Sequence, residues 1–271
     1  MRFELRHGRS LVAAINLHIE NAYAKSPLRA PYGGIELYAK IQQHDMAVWW
    51  DHIRDSLRKQ CVQELTLTTH PKLLNAAHFQ LVDNLLRHTT VNTTVDEVAS
   101  ILRVDQQHFE RKITAAKRHR LRKYRTLFQF EKIPLSKLDS VYAFLQKCRA
   151  ERGQTLSLTF PQLQNMSYSV SKKIQLYGVS NQNKWAAVAI VLQEAKDSWY
   201  TFYYGHLSTF DKQSPVVFLL EQLYQLAQNK GMQWINLGTS MLGDTINQPL
   251  LHFKTSIGAE TTFKRTYIQY L

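Results

Sequence analysis

The run Ser198–Ser240 constrains this chain more than any other stretch. It reads as a buried strand, a loop, an amphipathic helix and a second buried strand. Apolar side chains fall at Val217, Leu220, Tyr224 and Ala227, and Leu219, Leu223 and Leu226 widen the stripe. That is the spacing of a helix packed along one face. Ser214 stands at the expected N-cap, and Pro215 takes the first helical position, where its missing N–H costs nothing. Asn229-Lys230-Gly231 supplies the stop, because glycine enters the left-handed region past the last turn. The flanking runs, Trp199–His206 and Gln233–Leu237, are aromatic or branched and bounded by turn residues. A strand–helix–strand of this size predicts a right-handed crossover joining parallel strands.

The remaining pattern places this unit in a mixed architecture. The segment Leu11–Ala24 is read as a helix. The loop Ser26-Pro27-Leu28-Arg29-Ala30-Pro31-Tyr32-Gly33-Gly34 is rigid, and its paired glycines suit either a tight turn or a close backbone approach to phosphate. Strand, helix, strand and helix are expected over Ile35–Tyr38, His44–Gln60, Val62–Thr68 and Leu74–Arg87, then a strand over Thr90–Val95. A basic helix over Asp105–Tyr124 leads to a strand, Leu127–Ile133. A helix follows over Leu135–Arg152, and Pro161 opens another. Strands Lys173–Val179 and Lys184–Gln193 form a meander with Trp199–His206. A short helix over Gln248–Ser256 and a strand over Thr261–Tyr270 close the chain. Antiparallel hairpins running into one crossover predict an α+β fold rather than a doubly wound sheet.

Charge narrows the partners. The 271 residues carry a net charge of +13, which favours an anionic partner: nucleic acid, a nucleotide-linked substrate or lipid head groups. Eight lysines and arginines lie between Arg111 and Arg125, interleaved with Ile113, Ala116, Leu121 and Tyr124 at helical spacing. Such a segment is either a solvated basic face or a phosphate-binding surface. Two cysteines, Cys61 and Cys148, cannot build a disulfide framework and suit a reducing cytoplasm. No apolar run reaches the ~18 residues needed to span a bilayer, and the N-terminal stretch reads as structure rather than a signal peptide. His-Glu-x-x-His, Gly-x-Ser-x-Gly, the P-loop and the dinucleotide fingerprint are all missing from the sequence. No metal site and no covalently bound cofactor are expected.

The order of elements over residues 127–271 resembles the GNAT acyltransferase fold. Four short stretches sharpen the likeness toward the tandem-GNAT, Fem-type aminoacyltransferase-like group. They are Ser26-Pro27-x-x-Ala30-Pro31-Tyr32-Gly33-Gly34, Arg118-His119-Arg120-Leu121-Arg122-Lys123, Asn236-Leu237-Gly238-Thr239-Ser240, and Leu251-His252-Phe253-Lys254-x-x-x-Gly258-Ala259. The resemblance implies two fused halves with mixed sheets flanked by helices. An abbreviated GNAT-like half would span 1–104, a basic connecting helix 105–126, and a C-terminal GNAT-like domain 127–271. It also implies acyl or aminoacyl transfer to an amine, with acyl-CoA or aminoacyl-tRNA as donor. In GNAT proteins the donor lies where two parallel strands splay, its pyrophosphate on the helix N-terminus; here the gap falls between Trp199–His206 and Gln233–Leu237. The glycine-rich turn of acetyl-CoA enzymes is replaced by Thr209-Phe210-Asp211-Lys212-Gln213-Ser214-Pro215, which resembles Fem-type proteins better. Those proteins use aminoacyl-tRNA as donor and a diphosphate-bearing peptidoglycan precursor as acceptor.

Candidate site residues follow. Tyr204 and His206 end a strand facing the gap and can supply a proton or an oxyanion contact; core packing and strand capping are the alternatives. Asn236, Gly238, Thr239 and Ser240 sit at the C-terminal end of a parallel strand, where ligand sites gather. Asn247, Phe253 and Lys254 follow, the lysine as a phosphate ligand or a plain surface residue. Ser214, Arg122, Ser26, Tyr32, Gly33 and Gly34 complete the donor- and substrate-binding set. A non-catalytic protein of this fold, holding RNA or anionic lipid on its basic helix, remains a rival, as does an acetyl-CoA acetyltransferase with a degenerate donor loop.

Overall fold

In the computed structural model, residues 1–28, 30–88 and 93–271 are described. Arg29 and the start of the expected Thr90–Val95 strand, residues 90–92, lie outside the described residues. The chain divides into two compact units: Met1–Ala99 with Thr262–Leu271, and Ser100–Thr261.

The first unit opens with a hairpin, Arg2–His7 against Ser10–Asn16, to which Ile35–Leu37 adds antiparallel. The strands His18–Glu20 and Tyr23–Ser26 follow. The expected Leu11–Ala24 helix is therefore absent. Its apolar residues form a short buried run, Val12 to Ile15, and such runs carry no period that separates helix from strand. Asn21 at φ 54° breaks any helix through this region. Tyr23–Ser26 runs parallel to Glu64–Thr68, which pairs antiparallel with the end of Glu260–Tyr270. The helix Gln43–Lys59 buries Met46, Trp49, Trp50, Ile53 and Leu57, and Ala76–His88 contributes Val82, Leu85 and Leu86 to the same core.

In the second unit the strand Gln129–Ile133 pairs with Ile174–Asn181, and the meander continues antiparallel through Lys184–Ala195 to Ser198–His206. Trp234–Thr239 then joins parallel to Ser198–His206, across the crossover helix Pro215–Asn229. One face of this sheet carries the crossover helix with Phe109, Ile113 and Leu121. The other carries Leu138–Ala150 and Phe160–Ser169 through Val141, Leu145 and Leu163.

The basic segment departs from the expected continuous helix. It is two helices, Phe109–Lys112 and Ala115–Tyr124, interrupted where Ile113 is extended and buried. Thr114 N–H donates to Ser256 O at 3.0 Å, so a tertiary bond takes the place of an intrahelical one. Among the described residues no helix is long and apolar enough to cross a membrane.

Candidate functional site

The site begins where two parallel strands part. Pairing between Ser198–His206 and Trp234–Thr239 stops at Tyr200 and Asn236. Beside the last pair a side chain joins the two strands: Thr201 Oγ1 donates to Asn236 O at 3.0 Å. Beyond it, Gly238 at φ 73° bends the strand away, and its N–H donates to Asn236 Oδ1 at 2.9 Å. A side chain at this position would meet the Tyr200 hydroxyl at 3.3 Å and its ring at 3.4 Å, in a backbone conformation L residues avoid. The other end of the Asn236 amide donates to Glu194 Oε2 at 3.2 Å. Ser198 Oγ also donates to Glu194, and burial pushes that carboxyl up to about 7.

The parting leaves a cavity of about 470 Å³. Tyr200, Phe202, Tyr203 and Phe253 give it aromatic walls, and Arg149, Arg152 and Lys254 are its cations. Among the described residues no aspartate or glutamate lines it. Lys254 projects from the helix Gln248–Ser256 and is only 2% exposed. Its Nζ donates to Gly238 O at 3.0 Å and Thr239 O at 2.8 Å, the two carbonyls at the bend. With no carboxylate to offset its desolvation, burial brings the ammonium down to about 7, and the nearby Arg149 charge adds to the effect.

Tyr204 opens onto the cavity while its hydroxyl oxygen is shielded from solvent and has no hydrogen-bond partner. Burial pushes the phenol far up, so it stays a donor. His206 lies at the rim, its Nε2 2.8 Å from Asp211 Oδ1. Burial and the adjacent Arg152 lower its pKa, against the pull of Asp211, and keep the ring neutral near pH 7. Arg152 Nη2 also approaches Nε2, at 3.3 Å; in the tautomer whose Nε2 proton is directed at Asp211, Nδ1 keeps a lone pair. Arg152 locks this corner, donating to Cys148 O and His206 O, both at 3.0 Å.

The structure gathers Tyr204, His206, Gly238, Thr239, Asn247, Phe253 and Lys254 around this one cavity. Asn247 also caps its helix, accepting from Leu250 N–H at 3.1 Å. Asn236 and Ser240 are buried behind the wall rather than in it. Ser214 holds the N-cap position of the crossover helix, but at φ 53° its side chain does not cap. Its hydroxyl accepts from Arg120 Nη1 at 3.1 Å instead, and Val216 is the helix residue that reaches the cavity. Arg122 is ion-paired with Glu110 at 2.6 Å and lines no part of the cavity. Ser26, Gly33 and Gly34 belong to the first unit, where they border a separate cavity of about 540 Å³. There Gly34 N–H donates to Ser26 Oγ at 3.0 Å; Tyr32 lies in the same loop and does not line that cavity. Sequence reading missed Arg149, Arg152 and Glu194, which sit in ordinary helix or strand patterns; only the polar Glu194 near a buried strand's end was a signal.

No protein-family model and no curated protein matches the sequence. Solved structures do. FemX superposes with a TM-score of 0.75 at 10% identity, covering 100% of this chain and 88% of that one. This is a GNAT/Fem-like fold. The L-PGS structure from Bacillus licheniformis follows at TM-score 0.60 and 11% identity, covering 95% and 81%. The C-terminal domain of a putative lysylphosphatidylglycerol synthetase from Agrobacterium fabrum gives 0.59 and 16%, covering 96% and 82%.

Proposed function

We propose that this chain is an acyltransferase that moves an acyl or aminoacyl group from an anionic donor to an amine, with the chemistry in the second unit. Lys254 carries the reading. A buried ammonium fixed on two carbonyls at the parting of two strands keeps its third N–H for a ligand. A substrate carbonyl oxygen there gains charge as the amine attacks, and a fixed donor in a water-poor cavity stabilises that charge. His206, neutral with a free Nδ1, takes the proton from the attacking amine. Tyr204, held protonated, donates to the departing oxygen or sulfur. The balance is as follows: a C–N bond forms, the bond from carbonyl carbon to oxygen or sulfur breaks, His206 holds the nucleophile's proton, the leaving group takes one from Tyr204, and solvent returns the His206 proton to the Tyr204 phenolate before the next turnover.

The basic segment supports the same reading over that of a pure RNA or lipid binder. Arg122 and Arg125 are paired with Glu110, Arg125 also with Glu221, and Arg118 donates to the carbonyls of Glu110 and Ile113. Much of this charge is spent inside the unit. The donor class is resolved by thermal-shift and mass-spectrometric screening against acetyl-CoA, longer acyl-CoAs and charged tRNA, each with an amine acceptor. Saturable stabilisation by one donor class together with a mass gain on the acceptor is expected. Binding of uncharged RNA alone, with a steep salt dependence and no transfer, would overturn the proposal.

A further inference from the structure

The charges of the second unit's cavity do not balance. Arg152 is consumed by two carbonyls and by Asp211 at 3.3 Å, and Lys254 by Gly238 and Thr239. Arg149 is different. Its Nη1 donates to Gln154 Oε1 at 2.9 Å, a neutral amide, and no carboxylate lines the space it faces. Arg149, Lys254 and Tyr204 line the same cavity. A half-buried cation that shares a cavity with other cations, with no carboxylate partner among the described residues, is unfavourable in the empty protein. An incoming anion relieves that cost, and a guanidinium fork matches a carboxylate in shape as well as charge.

We infer that the substrate portion entering this cavity carries a carboxylate bound by Arg149, and that the position facing Arg149 rejects cationic groups. The inference rests on the acyltransferase reading only for the word substrate; the binding preference stands on the charges alone. The planar fork of Arg149 presents parallel N–H groups, a shape that suits a carboxylate better than a tetrahedral phosphate. The aromatic walls take the apolar body attached to it. A lysyl or arginyl group would bring a second ammonium or guanidinium into a cavity with no acid to receive it.

Hexanoate, hexanamide and hexylammonium share one body and differ in charge, so calorimetric titration of the full chain with each isolates the effect. Saturable binding of hexanoate alone is expected, weakened at least ~10-fold in Arg149→Gln and partly retained in Arg149→Lys. Gln154→Glu supplies an internal counterion while keeping the arginine, and is expected to abolish hexanoate binding and admit hexylammonium. Equal binding of the three probes, displacement of hexanoate by equimolar inorganic phosphate, or an unchanged Gln154→Glu variant overturns the inference. Transfer activity without a hexanoate preference would defeat this inference and spare the acyltransferase reading. Hexanoate binding without any transfer would do the reverse.

Discussion

Lys254 and Arg265 lie eleven positions apart, both largely buried, and the protein treats them in opposite ways. Arg265, in the first unit, is fully compensated: it donates to Asp96 at 2.5 Å and to Asp83 at 2.9 Å. Those bonds raise its already high pKa further. Asp83 also accepts from Tyr267 and Arg87, and these bonds outweigh burial and keep the carboxyl below its ordinary value. Lys254, in the second unit, has carbonyls for partners and a cavity in front of it. A paired buried cation belongs to the architecture; an unpaired one has a position to fill when a ligand arrives.

The contrast is sharpest in Arg265→Met. Removing the guanidinium strands Asp83 and Asp96, and a loss of roughly 3–5 kcal/mol of stability in urea unfolding is expected. Lys254→Met should do the opposite: transfer falls by ~10²–10³-fold while the unfolding midpoint holds or rises, because an apolar chain replaces a desolvated ammonium. A stability loss in Lys254→Met as large as that in Arg265→Met would show both cations to be structural and break the distinction. Gly238→Ala tests the bend at which the two carbonyls sit. Forcing a Cβ into the left-handed region costs about 1–2 kcal/mol, and activity should fall with stability if the bend positions Lys254. An active, undiminished variant would detach the lysine from the bend.

A further contrast lies in the pH dependence. Lys254 titrates near 7 in the folded protein and at an ordinary 10.5 when unfolded. Between those values the unfolded chain binds more protons, so stability rises with pH across roughly 7 to 10.5 and then levels. Lys254→Met should flatten that rise. Asp83 works from the other end: its contribution is present above its unfolded pKa and is lost as pH falls through the lower folded value. A midpoint-versus-pH curve for both variants separates the two.

The crossover was legible because its signals agree: an apolar stripe, Pro215 at the start, Gly231 in the left-handed region at the end. The meander was legible for the same reason. The N-terminal hairpin was not, since Val12 to Ile15 are buried together and turn pairing, not periodicity, makes them a strand. In the site, Gly238, Phe253 and Lys254 could be picked from their motifs, yet the burial of Lys254 could not. It depends on two carbonyls that only the bent strand presents. Arg149 was hidden because an arginine near a helix end reads as a dipole partner; what distinguishes it is the lack of an acid nearby, which is a property of the folded cavity.

The hydroxyl of Thr201, joining the two strands beside their last pair, has a geometric consequence. Because alternate residues of a strand face opposite sides, the same stop could be moved only in steps of two positions, or about 6.6–6.8 Å along the strand. A cleft of this kind would therefore deepen or shorten in discrete notches, and Thr201 marks the present one.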